Sequence, residues 1–131
     1  MSSLLRMKHE KDPRIDLVES VGDISDFKLF SNQVLVGIYI RPERTSGGIM
    51  IPGATRDEDK WQGKVGLVLK KGPSAFYDPE KKWFNGEDVD PLQWVVFRPS
   101  DGWQLKINDA YCRIVDDVNV RGIIPHPDLV W

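Results

Sequence analysis

Asn32-Gln33-Val34-Leu35-Val36-Gly37-Ile38-Tyr39-Ile40 is the stretch on which the reading of this chain turns. It is rich in β-branched residues and stops at Arg41-Pro42, which marks a strand. Two more apolar bursts of strand length follow, Lys64-Val65-Gly66-Leu67-Val68-Leu69 and Gln93-Trp94-Val95-Val96-Phe97. Residues 104–107, 111–115 and 120–124 are shorter candidates. Turn chemistry separates them: Gly72-Pro73, Asp78-Pro79, Asn85-Gly86, Asp90-Pro91 and Ser100-Asp101-Gly102. Short strands at this spacing, with almost no helical periodicity, predict an all-β domain, either a small barrel or a sandwich.

The two ends read differently. Asp12-Pro13 followed by Ile15, Val18 and Val21, with Gly22 as a stop, predicts a short helix whose apolar residues lie three apart. Residues 1–11 have little pattern and read as a mobile arm. At the other end, Pro125 and Pro127 cannot continue a ladder centrally, so residues 125–131 are expected to run along the surface and dock through Leu129 and Trp131.

Composition narrows the function. A chain of 131 residues, 40% hydrophobic, is one domain with or without arms. With 18 Lys+Arg against 20 Asp+Glu the formal charge is −2, so no basic field recommends a nucleic-acid partner. No apolar run approaches the roughly 20 residues of a membrane helix, and the charged start does not suit a secretory signal, which together predict a cytoplasmic protein without a membrane partner. Cys112 is the lone cysteine, and its alternating surroundings make it a small buried apolar residue rather than a nucleophile. His9 and His126, far apart in sequence, predict no metal cluster. His126 between two prolines reads as a surface residue, and nothing supports joining it to Ser100-Asp101 as a triad. Arg56-Asp57-Glu58-Asp59-Lys60 reads as a solvated charge run, and Gly63 to Gly66 lacks nucleotide-loop spacing. The expectation is a protein that is not an enzyme and needs no metal or cofactor.

Residues 41–60 do not look like core. They are polar at both ends and carry one isolated apolar triplet, Ile49-Met50-Ile51, between Gly47-Gly48 and Pro52-Gly53. A loop longer than about 12–15 residues without structure of its own is uncommon in a compact domain and often functional. Two readings stand. The triplet is an apolar plug offered to a partner's groove, or it belongs to a hairpin in which residues 49–51 pair back on residues 36–40.

Val34-Leu35-Val36, Gly47-Gly48-Ile49-Met50-Ile51, Gln62-Gly63-Lys64-Val65, Trp94-Val95-Val96-Phe97, and Cys112-Arg113-Ile114-Val115-Asp116-Asp117 through Ile123-Ile124 occur in one order and spacing. In this, residues 25–124 resemble the GroES family of co-chaperonins. The resemblance implies a GroES-like β-barrel with a mobile loop at 41–60 and a roof hairpin within 70–90, flanked by an added arm at 1–24 and a tail at 125–131. It implies that residues Gly47, Gly48, Ile49, Met50, Ile51 and Pro52 bind a GroEL-type chaperonin, with Ile49, Met50 and Ile51 docking into a groove between two of its helices and Gly47 and Gly48 letting the loop turn. It also implies a homo-oligomeric, heptameric ring, an unfolded client protein, and ATP bound by the chaperonin rather than by this chain. Burying three such side chains yields roughly 1.5–3 kcal/mol each. Ordering the loop consumes on the order of 1–2 kcal/mol per residue, so one loop binds poorly and a ring of loops binds well.

The chain departs from that pattern in places. Leu92 stands where the family has a turn glycine, and the roof segment holds Phe76, Tyr77, Trp83 and Phe84. These aromatics either pack the roof onto the barrel or line a cavity altered for a particular client. With the added arm and tail they look most like bacteriophage-encoded versions, which would act in the host cytoplasm. The alternative function is a structural virion protein, a capsid cement or connector built on the same barrel.

Overall fold

A computed structural model describes residue 9, residues 11–42 and residues 47–130, apart from the Trp61 side chain. Six strands, β1 (Gln33–Ile38), β2 (Val65–Lys71), β3 (Trp94–Val96), β4 (Trp103–Ile107), β5 (Ala110–Asp116) and β6 (Gly122–Ile124), fall on the six runs read from the sequence. They form one sheet in the order β4-β5-β1-β2-β3-β6, and every neighbouring pair is antiparallel.

β1 lies inside this sheet, with β2 on one side and β5 on the other. Its two faces are also both covered. Val34, Val36 and Ile38 join Val68, Val95, Phe97 and Val115 in one core, while Leu35 and Tyr39 join Val65, Leu67, Trp94, Cys112 and Ile114 in a second. That explains a sequence apolar without a break, since a strand buried on both faces has no polar side to alternate with. It also removes the hairpin reading of residues 49–51, because the ladder positions of β1 are already occupied by β2 and β5. Leu69 is an extra residue of β2 opposite the Leu35/Val36 step, a bulge that bends the strand. Gly102 opens β4 at φ +69°, and a Cβ there would lie 2.1 Å from the Ile114 carbonyl oxygen, so only glycine fits that turn.

The predicted helix is present as α1 (Pro13–Val21). The Asp12 carboxylate accepts the Arg14 N–H, and the Gly22 N–H donates to the Val18 carbonyl oxygen at 3.1 Å. Its buried face differs from the expected one. Pro13 and Val21 are buried and Leu17 packs on the core, whereas Ile15 and Val18 are 47% and 41% exposed. The spacing is thus four rather than three, and Leu17 descends onto β1 where Gly37 leaves room: a Cβ at Gly37 would meet Leu17 Cδ2 at 3.4 Å. Of the arm read in residues 1–11, residues 1–8 and 10 lie outside the described residues.

Between β2 and β3 the roof segment contains turns and no paired strands, so the expected hairpin is absent. Carboxylates organise it instead. Asp117 accepts the Phe76 N–H and an Asn32 side-chain N–H, both at 2.9 Å, which ties the roof to the sheet. Asp78 accepts the N–H groups of Lys82, Trp83 and Phe84, and these bonds, that from Phe84 foremost, hold its carboxyl below the usual range. The tail also docks differently from the expectation. Pro127 and Asp128 are buried and Val130 packs on the core, while Leu129 is exposed; Trp131 lies outside the described residues.

Leu92 takes the left-handed conformation, φ 69°, at the position where a glycine was expected. Replacing Leu92 by Gly should relieve that strain and stabilise the fold by about 0.5–1 kcal/mol, read as a higher urea midpoint at unchanged slope. Burial pushes the Cys112 thiol up to about 11. At pH 8 Cys112 should therefore resist a thiol reagent in the folded protein, and its labelling should follow the denaturant unfolding curve.

Candidate functional site

The segment read as a polar loop is half helix. α2 (Gly53–Gln62) begins directly after Pro52, whose carbonyl oxygen accepts the Arg56 N–H at 3.1 Å. Pro52-Gly53, which flanks the apolar triplet, is a helix start, and the residues taken for a solvated charge run form the body of α2. Asp57 and Glu58 do face water, but Asp59 is buried. Its carboxylate accepts three N–H groups of Arg41: the backbone N–H and Nε on Oδ2 at 3.0 and 3.1 Å, and Nη2 on Oδ1 at 3.0 Å. Arg56 Nε donates to the Arg41 carbonyl oxygen at 2.9 Å, and Lys60 Nζ sits 5.1 Å from the centre of the Tyr111 ring. These contacts clip α2 to the end of β1 and close the base of the segment. The sequence separation of Arg41 and Asp59 gives no hint of this pair; the helix-forming run 54–62 after a proline was the available signal.

Above the clip, the six residues singled out in the sequence divide. Gly47 and Gly48 are exposed, and Gly48 has φ +85° with open space around it. Ile49 and Met50 are 65% and 59% exposed, two large aliphatic side chains side by side in water. Ile51 is half-buried and packs against the domain's own core, and Pro52 leads into α2. The triplet therefore presents two side chains outward and anchors the third. Residues 43–46 of the same segment lie outside the described residues.

The four roof aromatics also split into two pairs. Phe76 is buried, and Phe84 packs on it edge to face with ring centres 5.2 Å apart. Tyr77 and Trp83 are 75% and 74% exposed. Packing and exposure are both served, by different residues. Ser100-Asp101 sits in a turn, while His126 is engaged with His9 and Asp128 instead.

An antiparallel sheet of six short strands, an exposed aliphatic pair after Gly47-Gly48, and closing strands reaching Ile124 are thus in place. Residues 26–124 match the family model of the chaperonin 10 kDa subunit. The chain belongs to that family, the GroES co-chaperonins. The family fold is the GroES-like β-barrel, with which the sheet agrees. Its members are co-chaperonins, not enzymes; they partner GroEL-type chaperonins and assemble as oligomeric rings. No curated protein matches the chain. The family match leaves α1 and the tail outside it. No helix among the described residues is long and apolar enough to cross a membrane.

Asp59→Ala removes the acceptor of three charged or backbone donors. It should lower stability by about 2 kcal/mol in urea unfolding, and Arg41→Ala should cost a similar amount, with the double variant far from additive.

Proposed function

We propose that this co-chaperonin is the lid of a chaperonin cage, a heptameric ring that docks on a GroEL-type chaperonin through the tip at residues 47–52 and encloses an unfolded client. The observation that carries this reading is the exposed Ile49-Met50 pair above a clipped base. Exposed single aliphatics are ordinary, but two adjacent ones at the tip of a segment fastened at both ends are placed to be buried by something else. Ile49 and Met50 are the plug. Ile51 holds the plug against the body, and Gly48 supplies the turn that L-residues resist. Pro52 marks where the tip gives way to helix.

Such a division changes the energetics. Residues 53–60 are already helical, so docking need not order the whole of residues 41–60. The entropy cost falls accordingly, while the gain is roughly 1.5–3 kcal/mol for each of the two outward side chains. One tip remains a weak ligand, and the ring supplies avidity by presenting a tip from every subunit. ATP belongs to the chaperonin, whose nucleotide state gates the groove. Tyr77 and Trp83, exposed on the roof, face the client, and Phe76 and Phe84 hold the roof in place. The setting is the cytoplasm, that of the host if the chain is phage-encoded.

The test is the pair Ile49→Ser and Met50→Ser. Both side chains face water, so the double variant should keep its unfolding midpoint and its ring. Binding to a GroEL-type chaperonin with nucleotide should weaken at least 100-fold, and assisted refolding should be lost, since about 3–6 kcal/mol per tip is removed. Undiminished binding and refolding would overturn the docking role.

A further inference from the structure

The fold gathers two histidines that the sequence keeps apart. His9 Nε2 lies 3.0 Å from Asp128 Oδ2, and His126 Nδ1 lies 3.7 Å from the same oxygen. Among the described residues these three side chains are the group whose donor atoms all fall within 4.8 Å of one another. The expectation of dispersed histidines is therefore corrected: chain ends separated by 119 residues meet beside Tyr39, just past β1.

We propose that His9, His126 and Asp128 form a binding site for a divalent transition-metal ion of the zinc class. Bonds of 2.0–2.2 Å in a tetrahedral shell set neighbouring donors about 3.4 Å apart. The two spacings to Asp128 Oδ2, 3.0 and 3.7 Å, bracket that value. Two imidazole nitrogens and one carboxylate oxygen are a donor set for zinc, cobalt, nickel or copper, and are too few and too nitrogen-rich for calcium or magnesium.

The surroundings suit a ligand set. Tyr39 Oη donates to the other Asp128 oxygen, Oδ1, at 2.5 Å, which fixes the carboxylate with Oδ2 turned toward the imidazoles. The Asp128 side chain is 3% exposed and cannot drift, while His126 at 39% exposure leaves a way in from solvent. His126 Nδ1 accepts the Asp128 N–H at 3.1 Å, and metal binding exchanges that hydrogen bond for a coordinate bond. Three protein ligands leave a fourth position, which a water can fill.

His9 and the His126-Pro127-Asp128 turn both lie outside residues 26–124, so the ion would staple the two terminal additions to each other across the end of the barrel. The consequence is linkage: an ion that binds only the folded chain raises the unfolding temperature with its concentration.

The experiment uses the full chain without a polyhistidine tag, stripped with a chelator, then titrated with Co(II) and back-competed with Zn(II). The expected result is one ion per chain, visible absorption of a four-coordinate Co(II) site that Zn(II) abolishes, and an unfolding midpoint that climbs with Zn(II). His9→Ala and His126→Ala should each weaken binding tenfold or more and flatten that climb. Both rings are partly exposed, so these variants should fold; protection of Cys112 from thiol reagents checks it. Absence of binding below about 1 mM, or affinity unchanged in either folded variant, overturns the proposal and leaves the cluster a hydrogen-bonded clasp. Chaperonin binding does not enter the readout.

Discussion

The two-sided burial of β1 is the constraint on which the rest of the molecule depends. Val34, Leu35 and Val36 are wholly inaccessible, and the strand is hydrogen-bonded to β2 and to β5. With both edges and both faces taken, β1 can accept nothing more, so every long connection must be fastened at its periphery. Each is fastened by charge or polar chemistry placed at a strand end. Arg41 and Asp59 close the segment that leaves β1, and Asp117, at the end of β5, captures the roof through Phe76. Tyr39 and Asp128 receive the tail in the same way.

This arrangement separates stiffness from display. The two cores and three fastenings hold the body, and two pairs of the exposed large apolar side chains sit on clipped segments. Ile49 and Met50 lie beyond one clip, and Tyr77 and Trp83 on another. A co-chaperonin that works by reversible contact has use for such a division. For the docking role proposed above, the Arg41–Asp59 clip would lower the entropy lost on binding while leaving open chain at the tip. Under the proposed docking role each contact would be weak, and a ring of tips would restore the total.

Legibility in the sequence followed the range of the interactions. All six strands were readable, because β-branched runs bounded by Gly, Pro, Asn and Asp are local signals. α1 was readable from Asp12, Pro13 and Gly22, yet its buried face was not, since Leu17 was selected by the missing side chain of Gly37 on another element. α2 was missed: its middle is a run of charges without an apolar stripe, and its stability rests on Asp59 finding Arg41. Leu92 shows the converse, a residue whose strained φ could be anticipated from the glycine that a resemblance placed there.

By itself the sequence determined the strand inventory, the turns, the family and the short apolar motif, all of which are written in neighbours along the chain. Only the tertiary structure decided which side chains of that motif face water and which anchor it. It also decided that a run of charges would hide one carboxylate, and that His9 would meet His126 and Asp128. Those outcomes depend on pairs brought together after loop closure, where burial, not spacing, sets the strength of a charge or the role of a ring. Periodicity carries no information about such pairs, because residues far apart in sequence become neighbours only when the sheet has fixed its order.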